Sequence, residues 1–145
     1  MSLITNIKNA IKTKLDGLVT AGKLGEVQMD DFKLGVFDRD YGKFPVAILT
    51  TPSIEGGYLT NRDNLRTHTY EIIVIQKGEN IESATDIEDL IETILDAFDN
   101  DFTLNGIADG GVEPSSSTPQ AVTSRGKSLV AFSVILKAKG VKTLN

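Results

Sequence analysis

The chain has no cysteine in its 145 residues, which removes disulfides, thiolate catalysis and cysteine-based metal sites together. It has no uncharged apolar run near the ~20 residues needed to cross a bilayer. The N-terminus, Met1-Ser2-Leu3-Ile4-Thr5-Asn6-Ile7-Lys8, has neither the charged start nor the continuous apolar centre of a signal peptide. The expectation is a soluble intracellular product with no membrane partner. Histidine is confined to His68, and a lone histidine in a strand reads as structural or surface, not as a catalytic base. Lys and Arg are absent from residues 78–124.

What is present is ordinary in amount, with 40% apolar and 24% charged residues, enough for one domain over 1–145 with a single core. A net charge of −5 argues against general nucleic-acid binding, which needs a basic patch. The distribution says more than the total. The span without Lys or Arg holds Glu79, Glu82, Asp86, Glu88, Asp89, Glu92, Asp96, Asp99, Asp101, Asp109 and Glu113. Positive charge sits toward the ends, at Lys8, Lys12, Lys14, Lys23, Lys33, Lys127, Lys137, Lys139 and Lys142. Two readings fit: a solvated acidic face, or a polarity that orients like subunits or turns away a polyanion.

Apolar periodicity predicts the elements. Ile4, Ile7, Ile11, Leu15, Leu18 and Val19 mark one stripe of a helix over 3–21, stopped by Gly22 with Lys23 near the negative end of its dipole. Val27 and Met29, then Phe32, Leu34 and Val36, alternate as one bent strand or two short ones. Residues 44–50 form a strand with Pro45 at an edge or a strand beginning, and Pro52 closes it. Residues 52–67, with Gly56-Gly57 and few apolar side chains, read as a β-hairpin arm that projects ~20 Å at ~3.3 Å per residue. Residues 68–76 carry apolar side chains on both faces and predict a central, covered strand.

A second helix follows, with Thr85-Asp86-Ile87-Glu88 as its capping box. Ile87, Leu90, Ile91, Ile94, Leu95 and Phe98 take one side, and Glu88, Asp89, Glu92, Asp96 and Asp99 the other. Phe102, Leu104 and Ile107 suggest a short strand. Residues 109–126 read as a flexible loop, and 128–138 as a last strand with Val130, Phe132, Val134 and Leu136 on one face. The fold class is α+β: a mostly antiparallel four- to five-stranded sheet with two amphipathic helices packed on one side.

No catalytic, cofactor or metal constellation stands out. There is no nucleophile elbow, phosphate-cradling loop or His-plus-carboxylate spacing. Gly35, Gly56, Gly57, Gly110 and Gly111 fit turn positions needing positive φ. Asp99-Asn100-Asp101 lacks the glycine and distal glutamate of a calcium loop, and Arg39 sits between Asp38 and Asp40. Tyr58 and Leu65, flanked by Arg62 and Arg66, read either as isolated surface residues or as anchors of an interface with a polar rim.

The order of elements resembles the tail terminator, or tail-completion, proteins of long-tailed bacteriophages. The residues that carry the likeness are Phe44-Pro45-Val46-Ala47-Ile48, the polar arm and Tyr70-Glu71-Ile72-Ile73-Val74. The acidic helix from Ile87 through Phe98, Leu104-Asn105-Gly106-Ile107, a long loop and a final strand complete it. The likeness covers nearly the whole chain and rests on order and pattern. It implies a structural virion subunit, made in the host cytoplasm, that closes into a homohexameric ring on the tail tube. That ring ends tube polymerisation and presents a docking surface to the head–tail connector, while DNA passes without being specifically bound. The arm is then expected to contact the neighbouring subunit or the tube protein. The acidic residues Glu88, Asp89, Glu92, Asp96 and Asp99 would line a lumen or ring face, repelling DNA within the ~8 Å Debye length. Another neck (head–tail joining) protein and a non-viral α+β protein-binding module are the alternatives, and an enzyme is the least supported class.

Overall fold

A computed structural model describes residues 3–29, 41–50, 52–58, 63–100, 104, 111–124 and 126–143. Its spine is a pair of long antiparallel strands, β4 (Asp63–Lys77) and β7 (Lys127–Thr143), in register from Asp63↔Thr143 to Lys77↔Leu129. Each is flanked on its outer side by two short segments separated by a proline-containing break. On β4 these are β2 (Val46–Leu49) and β3 (Ser53–Tyr58), with Pro52 between them. On β7 they are β5 (Val112–Ser116) and β6 (Gln120–Ser124), with Pro119 between them. A short β1 (Glu26–Met29) adds parallel to β2, giving the order β1-β2-β4-β7-β5.

Two helices share one face of this sheet. Helix α1 (Leu3–Thr20) packs over β1 and β2, and α2 (Ala84–Asp99) packs over β5 and β7. Ile7, Ile11 and Leu15 of α1 and Ile94 and Phe98 of α2 are fully buried in one cluster with Tyr70, Ile72, Val74, Val134 and Leu136. These positions recur every three or four residues on the helices and every second residue on the strands, as the two periodicities demand. The opposite sheet face has its own cluster of Val46, Ile48, Ile73, Ile75, Leu129 and Ala131, against which Tyr41 and Phe44 pack. Burial on both faces explains the continuous apolar run of β4.

Local chemistry sets the element ends. Gly22, at φ 78°, lets the chain turn so that Lys23 and Leu24 donate to the Leu18 carbonyl at 2.9 and 3.2 Å, which closes α1. Gly25 is required for a different reason. A Cβ there would lie 2.8 Å from the Lys43 carbonyl carbon and the Phe44 oxygen, while its own N–H donates to Pro45 at 2.8 Å. The Asp86 carboxylate accepts from the N–H groups of Glu82 at 2.8 Å and Ser83 at 3.3 Å.

The α+β class and the helices on one face match expectation, with seven strand segments among the described residues where four to five were expected. The excess arises because each spine strand carries two short partners end to end along its outer side. Other expectations are corrected. The helix cap is Ser83 with Asp86, two residues earlier than Thr85 with Glu88, because Asp86 is the carboxylate within reach of the first free N–H groups. Much of 109–126 is paired as β5 and β6, not a flexible loop, since its polar residues line a sheet edge where one side meets water. Gly56 and Gly57 are paired strand residues, whereas Gly111 does adopt positive φ, at 81°. Leu104 is a buried turn residue with φ 51° and not part of a strand. Pro45 precedes β2, which lies between β1 and β4, so it marks a strand beginning. The expected strand at 32–36 lies outside the described residues.

Ile72 is fully buried at the centre of β4 and faces the helices. Replacing it by alanine should lower unfolding free energy by about 2–5 kcal/mol, measured as a fall in the urea midpoint with an unchanged slope.

Candidate functional site

The arm foreseen at 52–67 is a hairpin of β3 with the first half of β4, and it has a third member. Residues 63–67 of β4 pair on their other side with the end of β7, from Lys139↔Thr67 to Thr143↔Asp63. The result is a three-stranded tongue, β3-β4-β7, that continues the sheet past its core. Leu65 lies opposite Gly57 and Arg66 opposite Gly56, while Tyr58 pairs with Asn64. The tongue thus gathers Tyr58, Leu65 and Arg66 into adjoining register positions. Arg62 lies outside the described residues.

His68 and Tyr70 form the root of the tongue on the helix-covered side. Both are buried, at 1% and 0% exposure, and their rings meet edge to face at 6.2 Å. His68 sits in register between Ile54 and Ala138, so it is part of the core. Burial pushes the Tyr70 hydroxyl well above the usual tyrosine value.

The two proline breaks are stitched to the spine alike. Thr50, fully buried, donates to the Glu71 carbonyl from its N–H at 3.1 Å and from its hydroxyl at 2.9 Å. Ser117 donates its N–H to the Ser133 carbonyl at 2.8 Å, and its hydroxyl oxygen accepts the Ser133 N–H at 2.8 Å. Between the breaks the Ser133 hydroxyl donates to the Glu71 carboxylate at 2.7 Å. Here the outer sheet face has an open basin of about 310 Å³ lined by Glu71, Ile73, Ser117, Gln120, Val122 and Ser133. Sequence reasoning missed this basin because it took residues 109–126 as a loop. The alternation of Val122 with polar neighbours was the available signal. Its hydrogen bonds tie the strands together across the basin.

The acidic residues of α2 lie where expected relative to the core. Glu88, Asp89, Glu92, Asp96 and Asp99 are all exposed, opposite Ile87, Ile94 and Phe98. With Asp86 they give α2 six carboxylates and no base. Helix α1, at the other side of the same layer, carries Lys8, Lys12 and Lys14 against Asp16 alone, with Lys12 paired to Asp16 at 2.7 Å. The tongue and the acidic helix are separate surfaces, and the fold does not bring them into one site. Among the described residues no three His, Asp or Glu side chains converge in a metal-binding arrangement, and no helix is long and apolar enough to cross a membrane.

The Tyr70 shift has a pH consequence with a definite sign. A hydroxyl whose folded value is raised keeps its proton while the unfolded chain loses it. Its stabilisation is therefore complete below tyrosine's ordinary 10.0 and declines above it. Unfolding free energy should fall by up to about 1.4 kcal/mol per pH unit above that point, and Tyr70→Phe should flatten this part of a urea-midpoint-versus-pH curve. No protein-family model matches the chain, and no curated protein matches it.

Proposed function

We propose that the chain is a structural subunit of a phage-type virion, closing into a ring that caps the tail tube and offers a docking surface to the head-side connector. The observation that carries this reading is the three-stranded tongue β3-β4-β7, an extension whose backbone is paired on both sides of β4. Such an extension suits a contact with a neighbouring subunit or the tube, because little conformational entropy is left to lose when it docks. The element order quoted above supports the same family, and the charge division between α1 and α2 suits like subunits arranged around an axis. In this reading the protein resides at the tail or neck of the virion. Its partners are its own copies, the tube protein and the connector, and DNA passes without a specific site.

The test is assembly on purified particles. The protein added to headless tails should bind tube ends as rings in electron micrographs and stop further tube growth. Binding to tail-less heads instead would identify a different neck component. A protein that stays monomeric and binds neither would overturn the reading. Glu55 lies opposite Thr67, so replacing residues 56–66 by Asn-Gly closes the hairpin with a two-residue turn. This variant should still unfold cooperatively in urea and lose tube capping, and normal capping by the shortened chain would remove the tongue from the mechanism.

A further inference from the structure

The sheet order places β1 and β5 at opposite sides of the molecule, each with a helix packed on it. Among the described residues neither strand has a partner on its outer side. Among the described residues the two flanks carry opposite charge. On the β1 side are Lys8, Lys12 and Lys14 of α1, exposed Lys23, and exposed Lys43, whose backbone touches Gly25. Among the described residues, Asp16 and the half-buried Glu26 are the acidic groups there, and residues 30–40, which follow Met29, lie outside them. On the β5 side are the six carboxylates of α2 and exposed Glu113, with Lys137 paired across from Glu113 on the outer sheet face. The β1 flank also ends in Met29, 41% exposed and the one large apolar side chain so exposed among the described residues.

We infer that the α1/β1 flank of one copy docks on the α2/β5 flank of the next copy, with lysines of α1 facing carboxylates of α2 around a contact on Met29. This rests on the ring reading and names the surface that closes the ring. Because the two flanks differ, the contact is heterologous, and repetition around an axis links copies head to tail into a closed ring. A small apolar contact rimmed by opposite charges is the usual anatomy of a protein interface. The rim charges set orientation and encounter rate. They also make the contact salt-sensitive, as the screening length falls from about 10 Å at 0.1 M salt to about 3 Å at 1 M. The acidic face of α2 is then a subunit joint and not a channel wall.

Reciprocal charge reversal on the full chain tests this. One variant carries Lys8→Glu and Lys12→Glu, which share one side of α1, and the other carries Glu92→Lys and Asp96→Lys. None of the four residues is buried, and both variants should keep wild-type circular dichroism. Sedimentation and electron microscopy, with and without tail tubes, read the assembly at about 0.1 M salt. Each variant alone should sediment as a monomer and leave tubes bare. An equimolar mixture should recover rings, because every contact again joins unlike charges, and so should a chain carrying all four changes. If either variant alone assembles as wild type does, or the folded pair fails to recover rings when mixed, this contact is wrong while the ring reading stands. Recovered rings that leave tubes uncapped would keep the contact and overturn the tail assignment. A wild-type chain that is monomeric under every condition would overturn both.

Discussion

The fold depends on the pairing of β4 with β7. Two unusually long strands give a ladder on which β2, β3, β5 and β6 are hung directly and β1 through β2, and their inner side chains provide much of the surface that the helices cover. Tyr70, Ile72 and Val74 alternate with Val134 and Leu136 on that side, while Ile73, Ile75, Leu129 and Ala131 form the opposite cluster. A one-residue slip of β4 would put Glu71 beneath the helices, and one of β7 would put Ser133 and Lys137 there. The hydrogen bond from Ser133 to Glu71 at 2.7 Å belongs to the register as seen, since both residues must lie on the outer face to form it.

The long strands also let the sheet serve two purposes along its length. Its middle is a covered core. Its far part, where residues 63–67 meet the last residues of β7, is the tongue. At the opposite end of the ladder, the Lys77 ammonium lies 5.2 Å from the centre of the Phe44 ring, which itself meets Tyr41 at 6.0 Å. Aromatic and cationic groups thus cap the outer cluster where the spine runs into the helical turn at residues 78–80.

Elements with a strong internal period were legible from sequence, because their own side chains carry the signal. Ile7, Ile11 and Leu15 announce α1, Ile87, Ile94 and Phe98 announce α2, and the alternation from Val130 to Leu136 announces the core of β7. Strand ends were harder to read. Residues 63–67 and 112–124 are largely polar, so their pairing depends on what lies across the ladder and not on their own hydrophobicity. The helix cap was displaced because Ser83 and Thr85 are both acceptable cap residues, and the choice between them turns on which carboxylate reaches back. Of the candidate sites, exposure of the α2 acids was readable from helical periodicity. The gathering of Leu65 and Arg66 against Gly57 and Gly56 required the hairpin register.

The ladder has a consequence for how the chain finds this structure. Each spine strand forms a hairpin with its own short partners, β3 with β4 and β6 with β7, across four residues and across Arg125-Gly126 respectively. These are local closures. The spine itself joins residues at least 52 positions apart (Leu129 less Lys77), so one large loop must close before any of its bonds can form. Once that loop closes at the Lys77 end, every later pair is adjacent to one already made, and the remaining ladder adds no comparable loop.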